Sequence, residues 1–178
     1  MTNLPGVPIK RLNHAVLFVR DARRSAAFYS EVLGFREVMA MGDQAVFLQA
    51  AGSRNDHDLG LFGVGEQAAD SAAGRSTVGL YHLAWEVSTL AELAEVAQRL
   101  AAAGALAGAS DHGTTKALYA HDPDGLEFEV SWLVPASRLD DEVMAARSTV
   151  RRLDLDAEIA RYGADLPGGV GISDVVAG

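Results

Sequence analysis

One strand, one helix and several short strands run twice through this chain, the second copy starting 68 residues after the first. That repeat constrains the fold more than any other feature, because each copy is one supersecondary unit that must bury its apolar face against other elements. The first copy opens with RLNHAVLFV (11–19). Leu12, His14, Val16 and Phe18 share one face of this extended segment, and Asn13, Ala15, Leu17 and Val19 share the other. The pattern predicts a strand buried on both faces. Asp21 is placed to cap the helix ARRSAAFYSEVLGF, where Ala26, Ala27, Val32 and Leu33 form the apolar stripe and Gly34 the stop. REVMAM, QAVFLQA and HDLGLFGV then read as three strands, parted by Gly42-Asp43 and by the Gly/Ser/Asn/Asp cluster at 52–56.

The segment GEQAADSAAGRST (65–77) is small, polar and aperiodic, as a linker between modules would be. The second copy begins with GLYHLAWEV (79–87), and His82 takes the place in its strand that His14 takes in the first. Thr89 and Glu92 form a capping box for a helix with the stripe Leu93, Val96, Ala97 and Leu100, ended by Gly104. Strands follow near 105–109, 115–120 and 126–132, with His121-Asp-Pro-Asp-Gly as the last turn. After Pro135, Leu139, Val143, Ala146, Val150, Leu153, Ala157 and Ala160 recur at steps of four and three. This predicts an amphipathic helix, broken at most once, that packs on its own domain or on a second copy. The closing PGGVGISDVVAG reads as a mobile tail.

The expected organisation is a single domain over 1–134, with module one at 11–64 and module two at 79–133, and a helical extension with a Gly-rich tail over 135–178. The length suits one core. The absence of cysteine among 178 residues excludes disulfides, zinc-thiolate sites, iron–sulfur clusters and thiol nucleophiles. A formal charge of −9, from 15 basic and 24 acidic side chains, argues against nucleic acid as a partner. No apolar stretch approaches the ~20 residues of a membrane helix, and the first residues carry no signal-peptide block, so a cytoplasmic protein away from membranes is expected.

Any metal must then be held by His, Asp, Glu or backbone oxygen. A lone histidine on an apolar strand is commonly a hydrogen-bonded core residue, but His14 and His82 open equivalent strands, and pseudo-twofold packing of the modules would bring their imidazoles toward one axis. In LEFEVSW, Glu127, Glu129 and Ser131 lie opposite Leu126, Phe128 and Val130. A solvated face accounts for Glu127. An inward Glu129 would need a cation. Two imidazoles and one carboxylate are the set that leaves positions open on Fe(II), and the set also suits Mn(II). The module-one position matching Glu129 is Gly60, which has no side chain to coordinate with.

RLNHAVLFV, AAFYSEVLGF, DHDLGLF, YHLAWEV and DHGTTKALYAHDPDGLEFEVSW resemble the vicinal-oxygen-chelate superfamily, and within it the single-domain type I extradiol, catechol 2,3-dioxygenase-like proteins. The resemblance spans about 11–133 and excludes the extension. It implies an α+β fold of paired βαβββ modules forming an incomplete β-barrel around a metal, with His14, His82 and Glu129 as Fe(II) or Mn(II) ligands. It implies catalytic roles for His57, and for His112 and Tyr119 before the last hairpin, in acid–base and hydrogen-bonding work on a small aromatic diol and O₂. A homodimer is also expected. Many relatives carry Arg where His121 stands, so the chain departs there; His121 and Asp122 read as structural, and Phe47 and Trp85 as core. The alternatives are a glyoxalase-like isomerase or lyase, against which Gly60 argues, and a metal-free antibiotic-binding protein.

Overall fold

Helix ends fix the frame of each half. Asp21, in extended conformation, accepts hydrogen bonds from the backbone N–H of Arg23 and Arg24 and starts α1 (Ala22–Leu33); Gly34, left-handed at φ 73°, ends it by donating to the Ser30 carbonyl. The structure is a computed structural model describing residues 6 and 9–172. It divides into two compact units, one reaching Ala68 and the other starting at Ala69.

In the first unit β1 (Ala15–Val19), β2 (Arg36–Met41), β3 (Ala45–Gln49) and β4 (Leu59–Gly63) form a sheet in the order β1-β4-β3-β2, with β1 and β4 parallel. Leu17, Val19, Val46, Leu48, Leu59 and Leu61 are buried on the face that carries α1. Each buried leucine contributes about 1.5–3 kcal/mol. Across the opposite face run two rows, Met39–Phe47–Gly60–Val16 and Met41–Ala45–Phe62–Phe18. Here the expectation of a strand buried on both faces fails: Val16 and Phe18 are 51% and 75% exposed, because α1 covers one face of the unit only. The strand also begins at Ala15, so His14 stands just before it.

The second unit repeats the plan. Leu90–Ala102 forms α2, capped by the reciprocal Thr89–Glu92 box, and β5 (Leu83–Glu86), β6 (Leu106–Asp111), β7 (Thr115–His121) and β8 (Glu127–Leu133) make the sheet. A further strand, β9 (Arg151–Arg152), extends it to β5-β8-β7-β6-β9. Phe128, Val130, Trp132, Leu118 and Ala120 are buried on one face, while Glu127, Glu129, Tyr119 and His121 alternate to the other. The α+β class and the twice-used βαβββ order are those the sequence predicts, and neither sheet closes into a barrel.

The extension departs from the expected helix. It is a 3₁₀ turn (Ala136–Arg138), α3 (Asp141–Ala146), β9 and α4 (Leu155–Tyr162). Val143, Ala146 and Leu153 of the predicted stripe are buried, but Val150 is 72% exposed, because the chain there runs extended to pair with the edge of β6. Half of the predicted mobile tail, 173–178, lies outside the described residues, and the half before it is pinned, since Gly168 N–H donates to the Ser88 carbonyl. No described helix is long and apolar enough to cross a membrane.

Candidate metal and catalytic site

In the first unit the loop before β4 is built around Asp58. Its carboxylate accepts from Ala50 N–H, Ser53 Oγ and Asn55 Nδ2 at 2.9, 2.8 and 2.7 Å, and Asn55 Nδ2 also reaches the carbonyl of Asn13. These bonds tie the turn bearing His57 to the residue before His14, and the two imidazoles lie 4.5 Å apart, centre to centre. His14 Nδ1 donates to Asn13 Oδ1 at 2.7 Å, and His57 Nδ1 to Asp56 Oδ2 at 2.9 Å, which leaves the lone pair on Nε2 of each ring. Phe47 stands edge-on to His57 at 5.1 Å and to Phe62 at 5.8 Å. It belongs to the face away from α1, and so is not the core residue the sequence suggested.

In the second unit His82 directly precedes β5, as His14 precedes β1. Its Nε2 is 3.5 Å from Glu129 Oε2 and its Nδ1 is 3.5 Å from Glu127 Oε1. His82 Nδ1 and Glu127 Oε1 are buried without a hydrogen-bond partner. Buried polar atoms left so are costly, and an Nδ1–H turned toward the Glu127 carboxylate satisfies both while leaving Nε2 free for a cation. Glu127 is therefore a member of the group around His82 and not a residue of a solvated face. A carboxylate behind the ring nitrogen is the common support of a metal-binding histidine. What hid Glu127 was its alternation, which serves solvent and an open site equally well.

Tyr119 pairs with Glu129 across β7 and β8, and its hydroxyl lies 3.1 Å from His112 Nε2. Burial first, then the charge of Glu129 and the hydrogen bond to it, with Tyr81 and Glu127 adding, push the phenol up to about 12. The phenol has one proton; given to Glu129, it leaves the oxygen to accept from His112 Nε2–H. The second unit thus brings together four of the six residues singled out in the sequence, and the first unit holds the other two, His14 and His57. His121, half-exposed, faces Glu127 at 3.9 Å. Among the described residues no three His, Asp or Glu side chains stand together as a metal-holding group.

Register supports the match drawn between Gly60 and Glu129. Gly60 pairs with Val16 and Phe47, two residues beyond His14, as Glu129 pairs with Ala84 and Tyr119, two beyond His82. A Cβ on Gly60 would meet Phe47 and Val16 at an ordinary 3.5 Å. The first unit's position is therefore roomy but donorless.

A family model described as the Glyoxalase/Bleomycin resistance protein/Dioxygenase superfamily matches residues 11–130. A catechol-2,3-dioxygenase of Bacillus subtilis (strain 168) is 34% identical over 119 residues, which are 67% of this chain and 40% of that protein. The chain thus spans less than half the length of that relative. A glyoxalase/dioxygenase from Nostoc punctiforme superposes with a TM-score of 0.59 at 21% identity, over 74% of this chain and 97% of its own. A mutant fosfomycin resistance protein, FosX, from Listeria monocytogenes, solved with Mn(II) and 1S,2S-dihydroxypropylphosphonic acid, does so at 0.52 and 24%, over 68% and 89%. These two likenesses are of fold.

Proposed function

The chain belongs to the glyoxalase/bleomycin resistance protein/dioxygenase superfamily, and from that membership we propose that it is a metal-dependent extradiol dioxygenase. It would open a catechol or related vicinal aromatic diol beside the two hydroxyls, with both oxygen atoms of O₂ entering the product. The observation that carries this reading is the run of contacts His82–Glu129–Tyr119–His112 on one face of the second sheet. A dioxygenase relative at 34% identity supports it.

In this reading His14, His82 and Glu129 hold Fe(II) or Mn(II) through Nε2, Nε2 and a carboxylate oxygen, and Gly60 leaves the fourth corner without a protein donor. When bound, such a metal supplies adjacent open positions for the diol and O₂ and a Lewis acid that favours the diol's deprotonation. The chain's own residues then handle protons. His57, with Nδ1–H held by Asp56, presents Nε2 as a base for a diol hydroxyl. Tyr119 keeps its proton throughout the neutral range and serves as a fixed donor and relay point. His112, whose Nε2 lies against the Tyr119 hydroxyl, is the acid–base partner of what that hydroxyl touches. The glyoxalase-like alternative asks for a fourth protein ligand, and the glycine at position 60 offers none.

The test is metal content after anaerobic incubation with Fe(II) or Mn(II) and desalting, followed by oxygen uptake over a panel of catechols. About one metal per chain, lost in Glu129→Ala together with oxygen uptake while the circular dichroism spectrum is kept, is the expected result. Full metal retention in that variant would refute the ligand set. The protein is also read as a cytoplasmic homodimer; a monomer mass by light scattering at micromolar concentration would refute the dimer.

A further inference from the structure

The turn that carries His112 is gripped from several sides by the C-terminal extension. Asp111, the residue before it, is buried and accepts from Lys116 Nζ at 2.6 Å and from Gly113 N–H at 2.8 Å, with Arg151 of β9 at 3.6 Å from its other oxygen. Lys116, only 1% exposed, has a second carboxylate, Glu158 of α4, at 3.0 Å. β9 pairs with Ser110 and Asp111, so the last residues before His112 are edge residues of β6 only until the extension covers them. On the remaining side α3 packs so closely on Gly113 that a Cβ there would meet the Val143 carbonyl oxygen at 2.6 Å.

We propose that the extension is a clamp that orients His112 toward Tyr119, and that Lys116, Glu158 and Arg151 are its positioning residues. The proposal rests on His112 having the proton-exchange role argued above. Two cations and two carboxylates balance in this cluster, yet a buried ion pair is rarely worth more to stability than apolar side chains of the same volume. What such a network supplies that apolar packing does not is direction: Asp111 is fixed by two hydrogen bonds and by the ion pair with Arg151, and the peptide that follows it carries His112. The His112 N–H bond to the Thr115 carbonyl closes the turn, and the ring reaches Tyr119. A misdirected imidazole loses proton transfer steeply, because the donor–acceptor gap must stay within hydrogen-bond reach.

The experiment uses the full-length chain with Glu158→Gln and Arg151→Gln made singly, and Glu158→Asp as the conservative variant. Two readouts are taken. Long-range ¹H–¹⁵N spectra of the metal-free protein report the His112 imidazole directly, assigned by its loss in His112→Ala. Steady-state oxygen uptake of the Fe(II)-loaded protein on catechol separates kcat from KM. Each Gln variant is expected to shift the His112 ring resonances and to lower kcat about tenfold at unchanged KM and iron content, since one general acid–base group contributes roughly 10²–10⁴-fold. Glu158→Asp should recover part of both. Val32→Ala, in the core of the first unit, should lower the melting temperature without moving the His112 signals. Unmoved His112 resonances in folded Glu158→Gln and Arg151→Gln would overturn the clamp; should the first not fold, the second, at a half-exposed arginine, decides. If the parent chain cleaves no catechol, the dioxygenase reading fails, and the resonances still decide whether the extension orients the ring.

Discussion

Tyr119 has a phenol whose environment fixes its protonation through the whole working range. Burial, Glu129 and Glu127 all disfavour tyrosinate, so the neutral form is what the fold holds, to about pH 12. The sign follows: a group raised in the folded state stabilises fully below its ordinary value near 10, and that contribution fades as pH rises through the folded value. Among four tyrosines, Tyr119 should therefore add almost nothing to the 295 nm absorbance of metal-free protein at pH 11. Tyr119→Phe and the parent should give nearly superimposable absorbance at that pH; a deficit of one full tyrosinate would show the phenol is unshielded. At this scale the repeat set His14 and His82 in equivalent places, and both stand directly before the first strand of their unit. Lys116 shares parity with Leu118 and Ala120, on the apolar side of β7, where a lysine must be paired. Nothing in the sequence, however, named Asp111 and Glu158 as its partners, since Glu158 arrives from 42 residues away through a segment with no repeat to align it.

Elements were legible where local chemistry closes them. Asp21, Gly34 and the Thr89–Glu92 box set α1 and α2 without tertiary help. The extension was not, because spacing of four and three describes a stripe and says nothing of interruptions: Arg151-Arg152 pairs with β6 in the middle of a run that reads as helix. β1 departs from its pattern for a like reason, since apolar residues on both faces cannot tell a covered face from an open one. Two glycines separate turn geometry from packing. Gly113 and Gly125 both have left-handed φ, 72° and 79°, but a Cβ on Gly125 meets nothing within 4 Å, whereas one on Gly113 collides with α3. Gly125→Ala should cost about 1–2 kcal/mol for the backbone alone. Gly113→Ala should cost ~1–3 kcal/mol more for the overpacked contact. Since about 1 kcal/mol moves the midpoint of a domain this size by ~2–4 °C, thermal melts resolve the pair. Equal losses would mean that α3 yields and does not press on the turn.

For the whole molecule, the repeat fixed the most: a strand–helix–strands order used twice left little choice of architecture, and both units follow it. The repeat is silent about what lies outside it, and a domain ending near residue 134 is what the sequence alone suggests. In the second unit the segment beyond 134 is joined to the sheet and to α2. Tyr162 packs on the fully buried Trp132 with ring centres 5.5 Å apart, Ala91 N–H donates to the Ala164 carbonyl, and Gly168 N–H donates to that of Ser88. A Cβ on Gly168 would stand 2.6 Å from Trp132 Nε1, so the chain passes directly over the indole. A chain ending at residue 134 would strip that cover and leave Lys116 without Glu158. Loss of one partner of a buried ion pair costs about 3–5 kcal/mol, and re-exposing part of a tryptophan adds ~1–3 kcal/mol. A total near 4–8 kcal/mol is comparable with the entire stability of an ordinary domain, roughly 5–15 kcal/mol. The shortened chain should therefore lose its near-ultraviolet circular dichroism and show a red-shifted tryptophan emission at 25 °C. A shortened chain with the parent's emission maximum and a cooperative melt would make the extension an appendage, and the orientation of His112 would then have to come from the second module alone.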